Sequence, residues 1–140
     1  MKNSILIGLL FAFVSAMHPA FGQSDVTTND SQSLDTEKVE VYYFHNTRRC
    51  ATCEAVEQVT KETLEAAYPE QMKQGNMTFQ SLNIEEDENE PLARQLGVSG
   101  QTLLIVKGDK KKDLTNDAFM YARTNPDKLK EKIQKAIDKI

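Results

Sequence analysis

Cysteine is scarce in this chain: there are two in 140 residues. Small exported domains that depend on disulfides for their fold usually carry several bridges. A bridge between Cys50 and Cys53 would close a very short loop and remove little entropy from the unfolded chain. The pair is therefore poorly suited to stapling a fold, and thiol chemistry is the better reading. Other absences narrow the function classes. The apolar run Ile5 to Ala16 has twelve residues, short of the about 20 that a membrane-spanning helix needs. No stripe of basic residues appears along the sequence, and the formal net charge is −4. That balance argues against nucleic acid and anionic membrane surfaces as partners. The acidic run Glu85 to Glu90 lacks the spaced Asp and Asn ligands and the central glycine of a calcium loop. It reads as a solvated loop and helix start, where carboxylates suit the helix dipole.

What the N-terminus does contain is a secretory signal. Lys2 supplies a small positive charge, Ile5 to Ala16 the apolar stretch, and Ala20-Phe21-Gly22 small residues at the two positions that a signal peptidase reads. No cysteine lies near that site, which argues against a lipid anchor. Cleavage after Gly22 would leave residues 23–140 in the periplasm or secreted, free of the membrane. Loss of Lys2 leaves 16 basic against 21 acidic side chains, a net charge of −5. His18 is lost as well, and His45 is then the single histidine. Residues 23–36 are polar and nearly devoid of apolar side chains, as expected of a flexible tether. Residues 37–140 form one domain of ordinary size, able to bury a core unaided.

Within that domain, Val39 to Phe44 is β-branched and aromatic, too densely apolar for an edge strand, and is expected to be central. A helix starting near Cys53 and running toward Ala67 would bury Val56, Val59, Thr63 and Ala66 or Ala67. Pro69 opens a short further turn that Gly75 ends. Met77 to Ile84 is the next strand, Pro91 to Leu96 a short helix stopped by Gly97, and Thr102 to Val106 a continuous apolar strand. Gly108-Asp109 turns the chain into a partner strand over Lys112 to Thr115. Asn125-Pro126 is a helix start, N-cap then proline at the first helical position. Leu129, Ile133, Ala136, Ile137 and Ile140 mark the buried stripe of that helix. The expected order is β-α-β-α-β-β-α, an α/β fold with a central mixed sheet flanked by helices.

A Cys-x-x-Cys pair that follows an extended segment and opens a helix is an arrangement used for thiol–disulfide exchange. In order along the chain stand the first strand, Cys50-Ala51-Thr52-Cys53, Phe79-Gln80-Ser81-Leu82-Asn83-Ile84, Leu92-Ala93-Arg94-Gln95-Leu96-Gly97-Val98, and Thr102-Leu103-Leu104-Ile105-Val106. This set, from about Val39 to Ile140, resembles the thioredoxin superfamily. More loosely it resembles small exported thioredoxin-like proteins of an ArsF-type nitroreductase-subunit family, from which no substrate is carried over.

The resemblance implies a thiol–disulfide oxidoreductase without cofactor or metal, with Cys50 as nucleophile and Cys53 as resolving thiol. Thiolate is the attacking species, so the Cys50 pKa must be lowered. A helix N-terminus would do this, and Arg48 and Arg49 would add two positive charges. His45, five residues before Cys50, would tune the site or shuttle a proton. Three positions depart from the family pattern. Phe44 stands six residues before Cys50, where a buried acid is frequent. Arg49 stands where an aromatic residue usually precedes the first cysteine. Gln101 stands where a cis-proline usually precedes Thr102. A non-proline cis bond costs about 3 kcal/mol, so Gln101 is expected trans, with its amide beside the sulfurs. Expected partners are protein or small-molecule disulfides and thiols, with a redox partner protein. Two alternatives stand beside this reading: a non-catalytic thioredoxin-like subunit or adaptor, and a thiolate metal-binding protein.

Overall fold

The computed structural model describes residues 38–140; the signal peptide and tether expected over 1–22 and 23–36 lie outside these residues. The first strand, β1 (Val39–His45), is buried along most of its length because its apolar side chains alternate between two cores. It is central as expected: the four-stranded sheet runs β2-β1-β3-β4, with β2 (Met77–Asn83), β3 (Thr102–Lys107) and β4 (Lys110–Asp113). β1 is parallel to β2 and antiparallel to β3, and β3 is antiparallel to β4, so the sheet is mixed. Among the described residues, five α-helices, α1 (Ala51–Ala67), α2 (Pro69–Lys73), α3 (Glu90–Leu96), α4 (Thr115–Tyr121) and α5 (Pro126–Ile137), and one 3-10 turn, Asp87–Asn89, complete the fold.

The parallel β1–β2 pair requires a crossover, and α1 with α2 provides it. Val41 and Tyr43 of β1 pack with Val56, Leu64, Leu129 and Ile133 in one core, beneath α1, α4 and α5. Tyr42 and Phe44 face the other way, into a smaller core with Ala93 and Leu96 of α3. Met77 and Phe79 of β2 join the first core, Leu82 and Ile84 the second. Gly97 closes α3 with φ of 75°, the left-handed conformation that favours glycine at a helix end. Asn125 caps α5, its side chain accepting from the Lys128 N–H at 3.1 Å.

Two local expectations are corrected. α1 buries Cys53, Val56, Val59, Thr60, Thr63 and Leu64, while Ala66 and Ala67 are exposed. The 3.6-residue repeat from Cys53 and Val56 leads to Thr60 and then Leu64, which leaves the two alanines facing solvent. The second correction concerns β4, which ends at Asp113, before the expected Thr115. The Asp113 carboxylate accepts from the Thr115 N–H at 2.7 Å, turning the chain into α4, a helix absent from the expected order. Leu114, Ala118 and Ala122, spaced four apart, are buried along this turn and helix. Lys110, Lys111 and Lys112 of β4 line a groove of about 670 Å³ together with Lys128, Lys132, Lys135 and Lys139, with Asp117 and Glu131 among them. Two of these lysines are paired there, Lys128 with Glu131 and Lys132 with Asp117. Among the described residues, no helix is long and apolar enough to cross a membrane.

Candidate redox site

Strand β1 ends at His45, and a short loop leads into α1 at Cys50. Side chains fasten this loop to the end of β2. The Thr47 N–H donates to Glu85 Oε2 at 3.3 Å, and the Asn83 amide donates to Thr47 Oγ1 at 2.9 Å. Cys50 is the N-cap of α1 in an extended conformation, so its sulfur faces the unpaired N–H groups of the first turn. The Cys53 N–H donates to Cys50 Sγ at 3.3 Å, and the two sulfurs are 2.6 Å apart. Cys50 is exposed, whereas Cys53 is 2 % exposed.

This setting holds the Cys50 thiol below the ordinary cysteine range. The Cys53 side chain contributes most, followed by the Cys53 backbone N–H, with those of Thr52 and Cys50 adding less and desolvation opposing them. The neighbouring Cys53 side chain is thus the first cause, and the N–H groups at the start of α1 add to it. Neither arginine is among the groups acting on this thiol. Arg49 pairs with Glu57 one turn further along α1, and its guanidinium carbon lies 5.9 Å from the centre of the Tyr43 ring. Arg48 is exposed, and no described residue pairs with it. His45 Nδ1 lies 3.0 Å from the carbonyl oxygen of Asn46, and the His45 ring is 5.9 Å from that of Tyr43. No hydrogen bond joins it to either sulfur.

Gln101 is brought into the site. All described peptide bonds are trans, Gln101 included, and the Cys53 thiol donates to Gln101 Oε1 at 3.4 Å. Sequence reasoning missed one residue here. Tyr43 is fully buried, yet its hydroxyl has no hydrogen-bond partner among the described residues. Burial pushes that hydroxyl well above its ordinary value; the Cys53 sulfur adds to the effect, and Arg49 works against it. Counting six residues back from Cys50 singles out Phe44, whose side chain is in the opposite core. The signal that could have found Tyr43 is strand alternation, which sends it and Val41 to the face that α1 covers. Among the described residues, no group of three or more His, Cys, Asp and Glu side chains is placed to hold a metal ion.

No protein-family model matches the chain, and no curated protein matches it. Solved structures do. Thioredoxin O2 from Arabidopsis thaliana, crystallised in the oxidised state, is 24% identical, with a TM-score of 0.52 over 75% of this chain and 80% of that one. Thioredoxin from Wuchereria bancrofti is 19% identical, with a TM-score of 0.38 over 74% of this chain and 85% of that one. With its mixed four-stranded sheet, flanking helices and cysteine pair at the start of α1, the chain has a thioredoxin-like α/β fold.

Proposed function

We propose that the protein is an exported thiol–disulfide oxidoreductase in which Cys50 is the nucleophile and Cys53 the resolving thiol. One observation carries the reading: an exposed, helix-capping Cys50 whose thiol is acidified by a buried cysteine 2.6 Å away. Acting as reductant, the Cys50 thiolate attacks one sulfur of a substrate disulfide. A Cys50–substrate bond forms, and the other substrate sulfur leaves with its electron pair and takes up a proton. The Cys53 sulfur, its proton released to solvent, then attacks Cys50, and the second substrate thiolate departs. Two electrons have passed to the substrate, and the pair has become a disulfide; oxidation of a partner is the same path reversed. The direction followed depends on the potential of the pair against its surroundings.

The fold supports thiol or disulfide partners as a class. Export rests on the Lys2 to Gly22 pattern alone, and the ArsF-type resemblance adds no substrate. The test is trapping in the native compartment. A Cys53→Ser protein should accumulate partners joined covalently through Cys50 and released by dithiothreitol, and a Cys50→Ser protein should accumulate none. Equal yields from the two, or none from either, would remove the exchange mechanism. One observation favours a second reading, a non-catalytic subunit or adaptor: the Gln101 carbonyl already occupies the Cys53 thiol. That reading expects partner binding to persist undiminished with serine at both positions.

A further inference from the structure

Strand β4 is an edge of the sheet, and its residues are exposed throughout. Such an edge carries unpaired backbone groups, and the ladder shows where they are. The Leu114 N–H donates to the Leu103 carbonyl at 2.8 Å. Hydrogen-bonded pairs alternate along an antiparallel register, so the next are Lys112 with Ile105 and Lys110 with Lys107. The N–H and carbonyl groups of Lys111 and Asp113 therefore point away from β3, toward the open edge. The groove follows that edge. Its lining takes Lys110, Lys111 and Lys112 in succession, and successive strand residues point to opposite faces. Across from them stands a stripe of α5, Lys128, Glu131, Lys132 and Lys135, which Lys139 continues just beyond the helix.

Seven lysines meet two carboxylates, Asp117 and Glu131, in this lining, a local charge of +5, or +4 with a carboxylate at Ile140. The whole chain carries −4. Lys128 and Lys132 are paired with those two acids, and Lys110 and Lys111 donate to backbone carbonyls. Lys112, Lys135 and Lys139 are exposed and have no partner among the described residues. Lysines on an edge strand are enough to keep other chains from pairing with it. That protection asks nothing of α5, yet four of the five lysines in residues 126–140 line the groove, against one of the three acids there.

We propose that this groove docks an acidic peptide segment in extended conformation, which adds a strand to β4 and sets its carboxylates against Lys112, Lys135 and Lys139. Main-chain hydrogen bonds to Lys111 and Asp113 would hold the segment, and the lysines would select it. From Lys128 to Lys139 the stripe is about 16 Å long, the span of about five extended residues. A second copy of this chain fits poorly, because β4 against β4 would set lysines opposite lysines. A bilayer surface offers no strand to the free backbone groups. No residue of the cysteine site lines the groove, so the inference goes beyond the redox reading.

A fluorescein-labelled peptide of that length, alternating glutamate and valine, tests it by anisotropy with the intact protein. The peptide should bind. Lys135→Glu with Lys139→Glu should weaken binding at least about tenfold, since like charges would then face each other. Lys61→Glu with Lys73→Glu makes the same change in net charge on exposed lysines outside the groove. Screening at physiological salt should keep that pair within about twofold of wild type. Equal weakening by the two pairs would overturn the inference, since total charge would then explain it. The same peptide methylated on all its backbone nitrogens keeps its carboxylates and should not bind; undiminished binding would overturn strand addition. Failure of the unmodified peptide to bind would also overturn the inference, as would binding to phosphatidylglycerol vesicles that the peptide cannot displace. Serine at both Cys50 and Cys53 should leave the affinity unchanged, which keeps this test separate from that of exchange.

Discussion

Replacing Arg49 with alanine tests whether this cation serves the fold or the sulfur. Arg49 pairs with Glu57 and lies over Tyr43, and both partners belong to elements that build the larger core. A cation–π contact at a partly exposed site contributes about 0.5–1 kcal/mol. A partly exposed ion pair adds about 0.2–1 kcal/mol. The expected loss is therefore about 1–2 kcal/mol, which for a domain of roughly 100 residues lowers Tm by at least about 4–8 °C. Combining it with Glu57→Gln should cost less than the sum, because the second change removes a carboxylate already without its partner. The Cys50 alkylation profile should barely move, since Arg49 is not among the groups that acidify that thiol. Circular-dichroism melts and iodoacetamide rates against pH, on the same preparations, give both readouts. An unchanged Tm together with an alkylation midpoint raised by about a full pH unit would refute the reasoning. It would return the arginine to the role that its place beside Cys50 in the sequence suggests.

Alkylation of wild-type Cys50 should be half-maximal below the about 8.5 of a free cysteine, and Cys53→Ala should move that midpoint up by removing the largest acidifying contact; an unmoved midpoint would show that backbone N–H groups suffice. The same shift has a sign in stability: a thiol with a depressed native pKa stabilises the reduced fold above the unfolded value and loses that contribution as pH falls through the native one. The urea midpoint of reduced protein should accordingly rise with pH across this interval relative to Cys50→Ser, and parallel curves would contradict it. Gly97→Ala meets no atom within 4 Å but must hold φ at 75°, so it should cost about 1 kcal/mol in urea unfolding through backbone strain alone. Gly97→Asn should recover part of that cost, and equal losses for the two variants would point to packing.

Local signals in the chain translated well into elements. The aromatic run of β1, the proline after Asn125 and the glycine after Leu96 each act through one backbone preference, and each sits where its spacing implies. So does Cys50 at the head of α1. Helix α4 was obscured because the turn into it depends on one carboxylate, that of Asp113, accepting from the Thr115 N–H two residues on. In the site, the order and relative exposure of the two sulfurs were legible, since a helix start dictates both. The partners of Arg49 were not, because Glu57 lies eight residues on and Tyr43 six residues back, across a strand-to-helix loop. Tyr43 itself was hidden by counting along the chain, whereas strand alternation places it in the core that α1 covers.

The lysine groove gives the molecule a polarity that its total charge conceals. It borders β4 at one edge of the sheet, and the acidic turn from Glu85 follows β2 at the other. Three inter-strand spacings of about 4.8 Å separate those edges, more than one screening length at physiological ionic strength. Lysines are thus weighted toward one edge and acids toward the other, with Asp117 and Glu131 set among the lysines, in a protein whose formal net charge is −4. Such a molecule turns before it binds: a charged surface or partner meets it with a chosen edge first. At low salt it should be retained by cation-exchange as well as anion-exchange resin at neutral pH, a behaviour that a pI of about 5.2 would not suggest.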